Sequence, residues 1–79
     1  MKLLVRNLAR TTTEHEVRTL FSSHGTVGQC TLVLDQETGK SKGFAFVEMP
    51  DDGEAKAAIA SLNLTDVAKS KIRVKRAES

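Results

Sequence analysis

A chain of 79 residues, 39% hydrophobic and 28% charged, has the composition of one small globular domain, which excludes a second core, wholesale disorder and collagen-like or mucin-like repeats. Twelve Lys and Arg against ten Asp and Glu leave a net charge of +2, too small to name a partner. Lys69, Lys71, Arg73, Lys75 and Arg76 nevertheless crowd together near the C-terminus, while Glu48, Asp51, Asp52 and Glu54 gather in the middle, so a basic side and an acidic side are expected.

Leu3-Leu4-Val5 opens a short β-capable run that stops at Arg6-Asn7 and is followed by a loop. Arg6, Asn7 and Arg10 cut this run too short for a secretion signal, and no stretch has the length of a membrane span. Thr13 and Glu16 stand in capping-box spacing, and Val17, Leu20, Phe21 and His24 recur at helical intervals, with Gly25 placed to end a helix of roughly three turns. Val27 to Leu34 predicts a second strand in which Cys30, Leu32 and Leu34 share one face and Gln29, Thr31 and Val33 the other. Residues 35–43 are turn-forming and charged, a hairpin loop leading into a third strand from Phe44 to Met49. Pro50 ends that strand, Asp51 or Asp52 can cap a second helix, and Ala55, Ala58, Ile59 and Leu62 carry its helical spacing up to Asn63. Lys71-Ile72-Arg73-Val74-Lys75 alternates cation and β-branched residue, the pattern of a strand with one dry and one wet face.

The order predicts an α+β, ferredoxin-like β-α-β-β-α-β sandwich, a four-stranded antiparallel sheet with two helices on one face. One domain spans residues 1–79, with an ordered core of about residues 2–76 and a short C-terminal tail. Alternation sends Leu3, Val5, Cys30, Leu32, Ala45, Val47, Met49, Ile72 and Val74 inward. The uncovered face then shows Lys2, Leu4, Arg6, Gln29, Thr31, Val33, Lys42, Phe44, Phe46, Glu48, Lys71, Arg73 and Lys75. Exposing two phenylalanines among cations adds nothing to stability, so this face is expected to meet a partner.

Lys42-Gly43-Phe44-Ala45-Phe46-Val47-Glu48-Met49 satisfies seven of eight positions of the pattern basic-Gly-aromatic-Gly/Ala-Phe-Val-any-aromatic, failing only at Met49. With Leu3-Leu4-Val5-Arg6-Asn7-Leu8 in the place of a hexamer on the first strand, residues 1–77 resemble the RNA recognition motif family, and in particular its short stand-alone bacterial members. The resemblance implies a single-stranded RNA-binding protein with no catalytic role, in which Phe46 stacks on a base, Phe44 packs against sugars or between nucleotides and Lys42 reaches a phosphate. The chemistry holds without the name, because unpaired bases stack on aromatic rings and phosphates need Lys or Arg. Arg6, Lys71, Arg73 and Lys75 are expected to contact the strand from the same face, with Thr31 beside them and Lys40 reaching in from the hairpin loop. Single-stranded DNA fits the same chemistry. Two departures from the family pattern stand out. Leu4 replaces an aromatic on the first strand, which removes a stacking platform and implies modest affinity. Leu64 and Lys69 replace frequent glycines, which leaves open the path of residues 63–70, a small extra hairpin included.

A protein-binding domain of the same fold is the alternative; Leu4 favours it and the Phe44–Phe46 pair opposes it. No cofactor, metal or membrane is expected, and the protein should be a cytoplasmic monomer. The lone Cys30 allows no internal disulfide, suits a reducing compartment, and is expected to be an inert core thiol. His15 and His24 have no paired ligand nearby, Gly39-Lys40-Ser41 lacks the first glycine of a phosphate-binding loop, and Asn63-Leu64-Thr65 is a glycosylation sequon by chance.

Overall fold

Leu3 and Val5 are fully buried on β1 (Lys2–Arg6) while Lys2 and Arg6 are exposed, the signature of a strand with one dry face. In this computed structural model, which describes residues 1–77, there follow α1 (Glu14–Ser22), β2 (Gln29–Leu34), β3 (Ser41–Glu48) and α2 (Asp52–Leu62). A small hairpin of β4 (Asp66–Val67) and β5 (Ser70–Lys71) precedes β6 (Arg73–Arg76). The main sheet is antiparallel in the order β2-β3-β1-β6, the expected ferredoxin-like arrangement. Val17 and Phe21 of α1 and Ala55, Ala58 and Leu62 of α2 close a core with Leu3, Val5, Ala45, Val47 and Val74, so both helices lie on one side of the sheet. The tail expected after residue 76 lies, from residue 78 on, outside the described residues.

The capping box forms: the Thr13 hydroxyl accepts from the Glu16 N–H at 3.2 Å, and the Glu16 carboxylate accepts from the Thr13 N–H at 2.9 Å. That backbone bond, with one from the Thr13 hydroxyl, holds the Glu16 carboxyl below its ordinary value. The helix ends at Ser22, earlier than the spacing through His24 predicts. The Ser22 and Ser23 hydroxyls take the carbonyls of Arg18 and Leu20 at 2.7 Å each, and the His24 N–H closes a tighter last turn on Phe21.

β2 starts at Gln29 rather than Val27, and a register shift between Leu32 and Leu34 breaks its alternation. Leu34 therefore does not share the inner face with Cys30 but is 49% exposed, and Leu32 packs only partly against the core. β3 starts three residues earlier than expected, at Ser41, because hydrogen bonds centred on Asp35 close the hairpin loop before it. Its carboxylate accepts from Glu37 and Thr38 N–H groups at 2.8 and 3.1 Å, and its own N–H donates to the Lys40 carbonyl at 2.7 Å. The bonds from Thr38 and then Glu37 hold the Asp35 carboxyl below its ordinary value. Of the two candidate caps of α2, Asp51 is the one whose side chain accepts from Glu54.

The last predicted strand is divided. Lys71 pairs with Asp66 in the small hairpin, and only from Arg73 does the chain join the main sheet, because the Ile72 backbone bonds to Thr65 and Leu64 instead. Two asparagines fix this path: Asn7 donates to the Lys71 carbonyl at 2.7 Å, and Asn63 accepts from the Val74 N–H at 2.9 Å. Leu64, Ala68 and Lys69 all hold positive φ, at 66°, 52° and 68°. Two of them, Leu64 and Lys69, are the positions where the resemblance leads one to expect glycine, so the chain takes a glycine-like path with residues for which it is strained. Lys69→Gly should raise stability by about 0.5–1 kcal/mol, strain relief outweighing glycine's larger unfolded-state entropy. Thermal or urea unfolding followed by circular dichroism measures this, and a destabilised variant would show that the turn carries no strain at Lys69.

Candidate nucleic-acid interface

With both helices packed on one side, every second residue of the main strands is left on a bare sheet face. On β3 these are Lys42, Phe44, Phe46 and Glu48, between the buried Ser41, Gly43, Ala45 and Val47. The two rings are half-buried and meet edge to face, their centroids 6.2 Å apart and planes at 87°. Met49, the octamer's mismatch, is fully buried, so that departure concerns the core and not the open face.

Strand pairing aligns the face into rows. Phe46 stands directly opposite Thr31 on β2 and Leu4 on β1, and Leu4 stands opposite Lys75 on β6. On one side of this row lie Gln29, Glu48 and Lys2, again directly opposite one another, with the Lys2 ammonium 4.8 Å from the centre of the Phe46 ring. On the other side Arg6 faces Arg73. Like charges directly opposite one another destabilise a sheet, so this pair suits an anion placed over it. Arg6, Arg73 and Lys75 also line a shallow depression with Asn63 and the 55% exposed Leu64.

Phe44 marks the end of the sheet nearest the β1–α1 and β2–β3 loops. Arg6, Arg10 and Lys42 ring one depression beside it, and Arg10, Lys40 and Lys42 line another. Gly43 makes this crowding possible. Its φ is +84°, and a Cβ there would come within 3.2 Å of the Leu8 carbonyl oxygen and 3.3 Å of Arg10 Nε. The Leu8 N–H donates to the Gly43 carbonyl at 2.8 Å and Arg10 Nη1 to the Ser41 carbonyl at 3.0 Å, which pins the guanidinium beside Phe44.

Leu4, Arg6, Thr31, Lys42, Phe44, Phe46, Arg73 and Lys75 thus share one surface as the sequence predicts, and Lys40 lies at its loop end. Lys71 does not join them in the main sheet, because its strand belongs to the small hairpin. Arg10 is missing from the sequence-based set, since it sits in a loop with no periodicity to assign its direction. Cys30 is buried, its thiol pushed up by desolvation and then by the Glu14 charge. Among the described residues no cluster of His, Cys, Asp and Glu is arranged to hold a metal ion, and no helix is long and apolar enough to cross a membrane.

The sequence profile of the RNA recognition motif family matches residues 3–73. The chain is 37% identical over 78 residues to RbpD of Nostoc, whose given name is that of an RNA-binding protein, covering 99% of this chain and 83% of that one. It spans 45%, 60% and 61% of the lengths of three further relatives, a fungal and two cyanobacterial proteins. The crystal structure of RNA binding protein PG1 superimposes with a TM-score of 0.96 at 35% identity, covering 100% of this chain and 95% of that one. The Sex-lethal protein–RNA complex gives 0.94 at 31% identity, over 99% of this chain and 47% of the other.

Proposed function

The chain belongs to the RNA recognition motif family, and on that footing we propose that it binds a short stretch of single-stranded RNA across its open sheet face, with Phe46 as the principal base platform. The observation that carries this reading is the row Thr31–Phe46–Leu4–Lys75 flanked by the opposed Arg6 and Arg73. A ring for a base stands in the middle of it, and cations for phosphates stand along its β6 side. Phe44, braced edge-on against Phe46, packs against the next sugar or base, and Lys42, Arg10 and Lys40 continue the cationic path past it toward the hairpin loop. Rings and cations do not read the 2′-hydroxyl, so single-stranded DNA binds by the same contacts. Leu4 in place of a second ring keeps affinity modest. We read the protein as a monomeric, cytoplasmic binding module and not an enzyme, with the buried, unpaired Cys30 suited to a reducing compartment.

Titration with mixed pools of single-stranded RNA tests this reading, and absence of binding by the folded protein would favour a protein-binding role instead. Ionic strength tests the path of the strand. Replacing Arg73 and Lys75 together by alanine should flatten the slope of log affinity against log salt by about 1.4, at roughly 0.7 per phosphate released from a single strand. Lys71→Ala, off the main sheet, should leave that slope nearly unchanged. A slope insensitive to the double substitution would place the RNA backbone away from β6.

A further inference from the structure

Among the outward-facing residues of the four main strands Glu48 is the only carboxylate, and it stands in the row next to Phe46. Lys2, directly opposite it, does not pair with it; the ammonium lies over the Phe46 ring instead, and no ion pair among the described residues reaches Glu48. With Gln29 and Thr31 these three side chains line one shallow depression. A carboxylate there repels phosphates and so works against general affinity for a polyanion. Its chemistry suits a different part of the ligand. Two carboxylate oxygens accept two adjacent N–H donors, and of the four RNA bases only guanine presents two side by side on its Watson–Crick edge, N1–H and N2–H₂. Uracil shows one N–H between two carbonyls, while adenine and cytosine set a donor beside an acceptor.

Resting on the reading of Phe46 as a base platform, we propose that the Gln29–Glu48–Lys2 row reads the edge of a guanine stacked on Phe46. Glu48 accepts from N1–H and N2–H₂, and Lys2 donates to O6. The order of groups fits: adjacent strands lie about 4.8 Å apart, close to the width of a purine's hydrogen-bonding edge, so acceptor and donor side chains one strand apart meet donor and acceptor atoms one edge apart. Gln29, on the far side of Glu48, offers its amide carbonyl to the remaining N2 hydrogen. A base that takes the ring face displaces the Lys2 ammonium from it, which frees that donor for O6. Glu48 is thus a specificity residue, favouring one base while its charge penalises phosphate and carbonyl groups placed at the same spot.

Fluorescence anisotropy with five-nucleotide RNAs tests this, each a uridine background with a central guanosine, inosine or adenosine, against the wild-type protein and Glu48→Gln. The wild type should bind the guanosine RNA on the order of tenfold more tightly than the adenosine RNA, the scale of one bidentate base contact. Inosine, which lacks the N2 amino group, should fall between them. In Glu48→Gln, checked for folding by circular dichroism, the guanosine-to-adenosine ratio should collapse to about one, because an amide cannot accept both protons. Tight binding of all three RNAs by the wild type without preference overturns the inference and leaves RNA binding standing, as does a preference that survives in Glu48→Gln. No binding to any RNA overturns both.

Discussion

Phe46→Ala is expected to weaken RNA binding by about 1–3 kcal/mol, roughly fivefold to 150-fold, more than any single lysine substitution on the same face. The ring sits at the centre of the sheet with a neighbour on each flanking strand, Thr31 and Leu4, neither of which offers a stacking surface. Its removal also takes away the surface against which Phe44 is braced and over which Lys2 rests. A single exposed cation such as Lys75 contributes less, because salt and water screen its attraction to phosphate. The fold should survive, since Phe46 is half-buried on the open face and the largest fully buried side chains, Phe21, Leu3, Met49 and Ile72, lie on the other side. Anisotropy with a labelled short RNA, alongside circular dichroism of both proteins, gives the answer. Equal affinity in two equally folded proteins would remove Phe46 from the binding surface.

The elements that sequence reasoning captured are those governed by short-range periodicity. Period two on β1 and β3 separated Leu3, Val5, Ala45 and Val47 from Lys2, Leu4, Phe44 and Phe46, and the structure keeps that division residue for residue. The Thr13 capping box was legible for the same reason, since its partners lie three residues apart. What escaped was set by contacts distant in the chain. β6 begins at Arg73 and not Lys71 because Asn7, 64 residues away, binds the Lys71 carbonyl and the loop at Leu64 and Thr65 claims the Ile72 backbone. Leu34 left the core through a register shift against β3 that alternation along β2 alone cannot reveal. Arg10 reaches the site only because its loop crosses β3 at Gly43, a tertiary approach with no local signature. The main sheet face was therefore readable from sequence, whereas the loops bounding it were not.

Leu4→Tyr should tighten RNA binding, by an amount limited to the roughly 1–3 kcal/mol that one stacked base supplies. Leu4 stands directly opposite Phe46 on one side and Lys75 on the other, on the same face of the sheet. A tyrosine ring would therefore lie beside Phe46 as a second platform, with a phosphate-seeking cation next to it. The gain should fall below the limit, because Phe46 and Lys75 stand directly opposite Leu4 and must share the face with a larger ring. Stability should barely change: Leu4 is half-buried, and the fully buried residues of β1 are its neighbours Leu3 and Val5, which face the helices. Isothermal titration with the same short RNA and urea unfolding of both proteins separate the possible results. Marked destabilisation would mean that Phe46 and Lys75 enclose Leu4 too tightly for a ring, so that β1 contributes packing and not a binding surface. Unchanged affinity with intact stability would mean that the bases leave the sheet after Phe46, and the path of the RNA would then run toward Phe44 and Arg10 rather than across β1 to β6.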